Sequence, residues 1–340
     1  MGQRYSYIDI AKGIGIWCIV CLHYEEGTIP VWLNTVIGSF MISIFYIASG
    51  WLSGIRVQSL TTKELFLKRI RQLGLPYLYW TIIILLFDCI LWACGYYDSY
   101  FVGREIYKSI ILRGIGTLWF LPALMGGELI WNWLKDKHCI LILLAYLLTC
   151  IYFAWYENVT ALHQDTIGRI LEAPFHTISN ILRAWPHVAL GYLFYRGIYS
   201  KYKWSSCTTG GIGAALFVIG ALGLFVSMPF EIFLSPLVNM SLTLGAFLCC
   251  IPIHHCHFLE YWGRNSLSLM VTHYSLVMVI FAIINEYCFG ADRLHSFAGT
   301  DGWIYFFCSI PLQYLIAKLL NNKAPSLLGK KISTPQPSNQ

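Results

Sequence analysis

Apolar residues along the chain are gathered into long runs that are separated by short polar segments. About ten of these runs are long enough to cross roughly 30 Å of hydrocarbon as helices. Their bounds are 8–24, 32–52, 75–95, 117–134, 139–156, 181–196, 210–228, 232–252, 265–285 and 303–320. No soluble module or internal repeat interrupts them. We therefore predict an all-α integral membrane bundle over residues 1–325, followed by a polar tail over 326–340.

The composition supports this assignment and narrows the class of protein. Hydrophobic residues make up 57% of the 340 positions and charged residues only 12%, with a mean hydropathy of +0.60. A soluble domain carries about twice that share of charge. The twelve cysteines are spread through or beside the apolar runs, which favours packing residues over a disulfide framework. The net charge of +6 is carried by loops and gives no reason to expect a nucleic-acid partner.

The distribution of basic residues predicts how the chain is oriented in the membrane. With Lys12 set aside, 16 of the remaining 22 lysines and arginines fall on the side that holds the N-terminus. Cytoplasmic loops carry such an excess, so we predict that both termini are cytoplasmic. On that side, the segment 53–74 has apolar and basic residues at helical spacing, typical of an amphipathic helix at the inner interface.

The first apolar run holds the most informative pair of polar residues. Lys12 and His23 are eleven residues apart, which in a helix places them on one face at roughly 16 Å. Ionisable groups are costly in lipid, so such a pair is a functional hypothesis. Asp9 precedes Lys12 by three residues and could pair with it. Glu25 and Glu26 follow His23 and could orient it as a general base.

Other polar residues in unexpected places extend the set of candidates. Intramembrane ionisable groups predict a shared polar interior, and they are Asp88, Glu128, Arg183, His187 and His273. The basic residues Lys68, Arg69 and Arg71 suit either anionic lipid headgroups or the phosphates of a nucleotide-bearing donor. The cluster CCIPIHHCH at 249–257 contains metal-ligating residue types, but no second cluster completes a tetrahedral site, so no metal is predicted.

Six segments, taken in order, resemble those of the membrane-bound acyltransferase 3 family, and more closely its fucose 4-O-acetylase-like branch. They are YIDIAKGIGIWCIVCLH at 7–23, FYIASGWL at 45–52, KRIRQLGLPYLYW at 68–80, LWFLPAL at 118–124, LRAWPHVALGYLF at 182–194 and NSLSLMVTH at 265–273. The first segment is the most specific, although the wider family more often has Arg where Lys12 stands. Met41 and Ser43 replace the His and Pro frequent in that branch, so the resemblance does not identify the acceptor.

The resemblance implies an O-acyltransferase of the bacterial inner membrane. Such an enzyme takes an acetyl or other short acyl group from acyl-CoA on the cytoplasmic side and esterifies a sugar hydroxyl. The expected acceptor is a cell-surface polysaccharide, such as O-antigen, capsule or exopolysaccharide, or its lipid-linked precursor. No permanently bound cofactor is expected, since acetyl-CoA serves as the donor and the remaining partner is the lipid bilayer.

The resemblance also assigns roles to residues. His23 is expected to act as the general base, with Lys12 beside the acyl arm and Asp9 orienting Lys12; a covalent acyl-histidine remains an alternative. Donor phosphates are expected to bind at Lys68, Arg69 and Arg71. The residues expected to line the acceptor side are Ser49, Trp119, Glu128, Arg183 and His273.

Two functions of other classes remain open at the level of the residues. A secondary transporter or polysaccharide exporter would also have about ten helices and ionisable residues at the midplane. Transporters usually show paired repeats with broken helices in matching positions, and the sequence has neither. A non-enzymatic membrane sensor would leave the Lys12 and His23 pair without a task. CoA-dependent acyl transfer by the purified protein separates the three functions.

Overall fold

The fold is built from helices throughout the part of the chain that the structure describes. The structure is a computed structural model, and it describes residues 4–25, 27–56, 58–162, 166–202, 204–290 and 300–330. The helices are α1 (Ser6–Tyr24), α2 (Val31–Phe40), α3 (Ser43–Ile55), α4 (Thr62–Arg69), α5 (Leu75–Ala93), α6 (Ser99–Ile110), α7 (Phe120–Leu134), α8 (Cys139–Leu162), α9 (Thr166–Phe194), α10 (Ser200–Tyr202), α11 (Ser206–Gly223), α12 (Glu231–Leu248), α13 (His257–Arg264), α14 (Ser266–Thr272), α15 (Val279–Phe289) and α16 (Thr300–Lys323). Glu26 and residues 331–340 of the predicted tail lie outside the described residues.

Eight helical segments in the described ranges are long and apolar enough to cross a bilayer, so the chain is a multi-pass membrane protein. They are Ser6–Tyr24, Val31–Ile55, Thr62–Ala93, Cys139–Thr160, Ser206–Gly223, Glu231–Leu248, Ser266–Cys288 and Gly302–Lys323. Each corresponds to one of the ten predicted runs. The predicted runs 117–134 and 181–196 lie in α7 and α9, which do not meet those criteria.

α7 and α9 differ from the eight spanning segments for physical reasons. α7 has 15 residues and is therefore only about 22 Å long. α9 has 29 residues, but it contains two prolines and several charged or polar side chains, among them Arg183 and His187. Both helices pack inside the bundle, where α9 contacts α3 and α7. Whether these two helices cross the membrane, and on which side the termini lie, remain predictions.

Small residues allow the central helices to approach one another closely. A Cβ atom on Gly50 of α3 would overlap the Val188 carbonyl oxygen of α9, and one on Gly191 would overlap the Ile47 carbonyl oxygen. Helices of membrane proteins use such positions to pack backbone against backbone. The close contact fixes α3 against α9, and it thereby fixes the positions of Ser49 and Arg183.

In the segment 53–74, which the sequence placed on the cytoplasmic side, residues 62–74 are helical as predicted, but they do not form a separate helix. α4 begins with a capping box in which Thr61 and Glu64 bond to each other's backbone amides. A π-helical turn, Ile70–Gly74, then joins α4 directly to α5. Pro76 is the second residue of α5 and directly follows this π-helical turn. Arg69 is consequently held at the start of a long membrane helix.

Candidate active site

His23 lies in the last turn of α1 and has a defined tautomer. Its Nδ1 atom is 2.7 Å from the Ile19 carbonyl oxygen, one turn earlier in the same helix. A carbonyl oxygen only accepts hydrogen bonds, so Nδ1 must carry the hydrogen. In the neutral ring the lone pair is then on Nε2, which makes this atom able to accept a proton.

Glu25 does not orient His23, contrary to what the sequence suggested, and Glu26 lies outside the described residues. The Glu25 side chain is buried and accepts hydrogen bonds from the Ile29 amide and the Asn34 side chain, each at 2.7 Å. These contacts fix the loop between α1 and α2. The Ile19 carbonyl takes over the orienting role that the sequence assigned to Glu25 and Glu26.

A second histidine lies directly beside His23. The rings of His23 and His273 are 5.2 Å apart, centre to centre, in an edge-to-face arrangement. His273 is fully buried, and its Nδ1 donates to the Leu269 carbonyl oxygen at 2.6 Å. Its Nε2 has no hydrogen-bond partner in the described part of the chain. His273 opens a π-helical turn, His273–Met278, and such turns are frequent at functional sites.

His23 lines a cavity of about 620 Å³, which we call the His23 cavity. Its walls combine aromatic rings with charged and polar groups, as sites for polar ligands do. The lining side chains with rings, charges or polar groups are His23, Asp88, Tyr97, Phe101, Arg104, Glu105, Lys108, Arg113, Thr117, Trp119, Phe120, His176, Tyr274 and Ser275. Trp119 is the one residue among these that the sequence assigned to the acceptor side.

Much of the charge in the His23 cavity comes from α6, a helix that the apolar runs do not reveal. Glu105 is buried and pairs with Arg104 at 3.0 Å and with Lys108 at 2.7 Å. Asp88 from α5 is also buried, and its Oδ2 has no hydrogen-bond partner among the described residues. The Asp88 carboxyl group therefore lines the cavity with one oxygen that is buried and unpaired among the described residues. The alternation of apolar and charged residues in α6 was the only sequence signal for this wall.

Lys12 lines a second, smaller cavity of about 170 Å³, which we call the Lys12 cavity. Arg69 forms a buried ion pair with Glu128, and Glu128 also accepts a hydrogen bond from Ser49. All three residues line this cavity with Lys12. Glu128 and Ser49, which the sequence placed on the acceptor side, therefore lie beside the predicted donor residues.

The ammonium group of Lys12 has no ion-pair partner among the described residues. The predicted pairing with Asp9 does not form, because the Asp9 carboxylate bonds to Arg4 at 2.9 Å and lies 3.5 Å from Arg264. Asp9 thus connects the start of α1 to α13. Lys12 is left as a cation available to the cavity.

Two side chains separate the Lys12 cavity from the His23 cavity. Phe120 and Met270 line both cavities, and each side chain is buried. Phe120 comes from the start of α7 and Met270 from α14. We call this pair the divider. Lys12 and His23, which share one face of α1, therefore lie on opposite sides of the divider.

The other basic candidates lie away from the Lys12 cavity. Arg71 is exposed and Lys68 is half-buried, and neither lines this cavity. Arg56, Lys135 and Arg196 line a separate small cleft, where Arg196 donates to the Arg56 carbonyl oxygen at 2.6 Å. Sequence reasoning missed this basic cleft because its residues come from three distant connections, although the charge count had placed all of them on the cytoplasmic side.

Arg183 and Trp119 line a third cavity of about 550 Å³, which we call the Arg183 cavity. His187, which the sequence noted as an unusual residue, also lines it. In the segment 249–257 the side chain of His255 contacts Glu260 at 3.4 Å. No group of three or more His, Cys, Asp or Glu side chains suited to a metal ion occurs in the described ranges.

A family model described as an acyltransferase domain, of the acyltransferase 3 type, matches residues 5–321. Comparison with curated proteins and with solved structures returned no match. The matched range includes every residue of the three cavities described above.

Proposed function

The chain belongs to the acyltransferase 3 family, and from this premise we propose that it is an O-acetyltransferase that esterifies a sugar hydroxyl. The donor is acetyl-CoA. The acceptor is a cell-surface polysaccharide, such as O-antigen, capsule or exopolysaccharide, or its lipid-linked precursor. The motifs at 7–23 and 265–273 further support membership of the fucose 4-O-acetylase-like branch and a place in the inner membrane of a bacterium.

The observation that carries the proposal is the position of His23 in its cavity. Its Nδ1 is held by the Ile19 carbonyl oxygen, so Nε2 remains as the basic atom of a ring that lines a cavity of about 620 Å³. Aromatic rings such as Trp119 and Tyr97 can stack against the apolar faces of a sugar. The Asp88 carboxyl group lines the same cavity, and a carboxyl oxygen can accept a hydrogen bond from a sugar hydroxyl.

The proposed reaction uses His23 Nε2 as the proton acceptor, with the sugar and acetyl-CoA as the two substrates. The sugar hydroxyl loses its proton to His23 Nε2 while its oxygen attacks the thioester carbonyl carbon. The tetrahedral intermediate then expels the sulfur of CoA, which takes the proton back from the imidazolium. The products are the sugar ester and free CoA, with neutral His23 restored. A covalent acyl-histidine would use the same Nε2 atom in two half-reactions.

The donor is expected to enter from the side of the Lys12 cavity. Lys12 and the paired Arg69 supply positive charge there, and the basic cleft of Arg56, Lys135 and Arg196 lies on the same predicted side of the membrane. Phosphates of CoA suit guanidinium and ammonium groups. The acyl arm would then pass the divider to bring its thioester to His23.

Acetyl transfer by purified protein tests the proposal directly. The protein is incubated with radiolabelled acetyl-CoA and with surface glycan from cells that lack it, and alkali-labile label in the glycan is counted. We expect label with the wild type and none with His23→Ala, which should remain folded in the membrane. Absence of label with the wild type, for the glycan and for its lipid-linked precursor, would reject the proposed activity.

A further inference from the structure

The Arg183 cavity is built like a binding site but is not needed for the reaction at His23. It has a volume of about 550 Å³, within the range of small-molecule sites. It lies between α2, α3, α8, α9 and α12, and its polar lining residues are Ser39, Ser43, Tyr46, Tyr146, Thr149, Glu157, Asn180, Arg183, His187, Glu231, Ser235 and Asn239. These side chains supply many hydrogen-bond donors and acceptors.

The guanidinium group of Arg183 is exposed to this cavity and has no acidic partner among the described residues. None of the ion pairs in the described part of the chain involves it, although Glu157 and Glu231 line the same cavity. The group instead lies over the Phe153 ring, 5.2 Å from its centre. This contact positions the guanidinium while leaving its donors free.

The wall that α9 and α12 form together is held in a fixed arrangement. His187 is buried, and its two ring nitrogens contact the Arg183 carbonyl oxygen at 3.0 Å and the Asn239 side chain at 3.1 Å. Asn239 belongs to α12, so this contact connects α9 to α12. The cavity is therefore a formed site with polar groups set by neighbouring helices.

The Arg183 cavity adjoins the His23 cavity. Trp119 and Ile42 line both of them. A hydrogen bond of 3.3 Å also connects His176, in the wall of the His23 cavity, to Asn180, in the wall of the Arg183 cavity. A ligand that is bound at His23 and longer than one sugar would pass beside Trp119 into the second cavity.

We propose that the Arg183 cavity binds the sugar unit next to the one that is acetylated, so that the acceptor is an oligosaccharide or polymer. This rests on the proposed O-acetyltransferase activity. Arg183 donates to hydroxyl or ring oxygens of the neighbouring unit, while Glu157 and Glu231 accept from its hydroxyls. Trp119 separates the two sugar positions and contacts both.

The test compares acceptors of different length. Surface glycan from cells that lack the protein is de-O-acetylated, partially hydrolysed and separated into fragments of one, two, three and more sugars. Transfer from radiolabelled acetyl-CoA is measured for each fragment. For the wild type we expect kcat/KM to rise at least tenfold between one sugar and the longer fragments, as one or more charged hydrogen bonds would give.

Variants in two different helices show whether the Arg183 cavity causes the rise of kcat/KM with fragment length. Arg183→Ala and Glu157→Gln should each reduce the ratio of kcat/KM between long and single-sugar fragments. Arg169→Ala is the matched control, because Arg169 is an exposed arginine of the same helix that lines none of the three cavities, and the ratio should not change. Because there are two cavity variants, the test still gives a result if one of them fails to fold.

The outcomes separate this inference from the proposed function. If the wild type acetylates fragments of every length equally, the inference is wrong and the activity is retained. If both cavity variants keep the wild-type ratio, or if they alter the use of lipid-linked acceptor only, the cavity does not bind the neighbouring sugar. If no glycan is acetylated at all, the proposed function itself fails.

Discussion

The Lys12 cavity and the His23 cavity use the same helix for different chemistry. The Lys12 cavity holds about 170 Å³ and contains a lysine that has no ion-pair partner in the described part of the chain, beside the buried pair of Arg69 and Glu128. The His23 cavity holds about 620 Å³ and combines aromatic rings with the Asp88 carboxyl group. The first suits a narrow anionic donor and the second a broad polar acceptor. Variants in the two cavities should therefore affect different substrates.

The largest effect is expected from His23→Ala. Removing the general base should lower kcat by roughly 10²-fold to 10⁴-fold, because the Nε2 lone pair of His23 is the proposed proton acceptor in the His23 cavity. The measurement is transfer from radiolabelled acetyl-CoA at saturating donor and acceptor. His138→Ala changes an exposed histidine between α7 and α8 and should keep full activity. Equal activity in both variants would remove His23 from the mechanism.

The next effect concerns the buried ion pair of the Lys12 cavity. Glu128→Ala leaves the Arg69 guanidinium without its counter-charge and should destabilise the protein by about 3–5 kcal/mol. Thermal unfolding in detergent measures this. Arg69→Met combined with Glu128→Leu should recover most of the stability, because an apolar pair can replace a buried ion pair. If the double variant also recovers the wild-type KM for acetyl-CoA, Arg69 has no part in donor binding.

Lys12→Met tests the donor cavity without breaking an ion pair. Loss of one charge-assisted contact should raise the KM for acetyl-CoA about tenfold to a hundredfold, with a smaller change in the KM for the acceptor. Lys12→Arg should retain most of the affinity because it keeps the charge. Arg71→Ala provides the control, since Arg71 is exposed and does not line the Lys12 cavity. If Arg71→Ala raised the KM for acetyl-CoA as much as Lys12→Met, the donor phosphates would bind at the surface of α4 and of the π-helical turn that follows it.

Asp88→Asn should have the smallest effect. It should change the KM for the acceptor, whereas Lys12→Met should mainly change the KM for acetyl-CoA. The amide can still accept one hydrogen bond, so we expect the KM for the acceptor to rise about threefold to tenfold. The KM for acetyl-CoA should stay constant, as should the amount of protein in the membrane. A change confined to the donor would contradict the division of substrates between the two cavities.

The sequence could predict the features of the site that depend on residues close together in the chain. Lys12 and His23 belong to one helix, so spacing alone placed them on one face. The wall of the His23 cavity depends on Asp88, Glu105 and His176, which come from α5, α6 and α9 and meet only through tertiary packing. The Ile19 carbonyl could not be identified as the orienting group either, because the acidic residues after His23 offered a more obvious partner.

The same reasoning explains the differences in the fold. Eight predicted runs are long apolar helices, since hydropathy is strong enough there to dominate. α7 and the second half of α9 are largely buried by other helices, and they therefore tolerate a short length, Pro186 and polar residues such as His187. The hydropathy of a run reflects contact with lipid. It therefore predicts a helix least well where the helix contacts mainly protein.

The divider of Phe120 and Met270 has a consequence for the integrity of the membrane. An open polar channel from Lys12 to His23 would let protons and ions leak across the bilayer whenever the enzyme is empty. Two buried apolar side chains close this route without a polar group that could conduct a proton. In the proposed reaction, the thin acyl arm of the donor would displace these two side chains and fill the same gap with its own atoms. The bilayer would then stay electrically insulated during the proposed transfer.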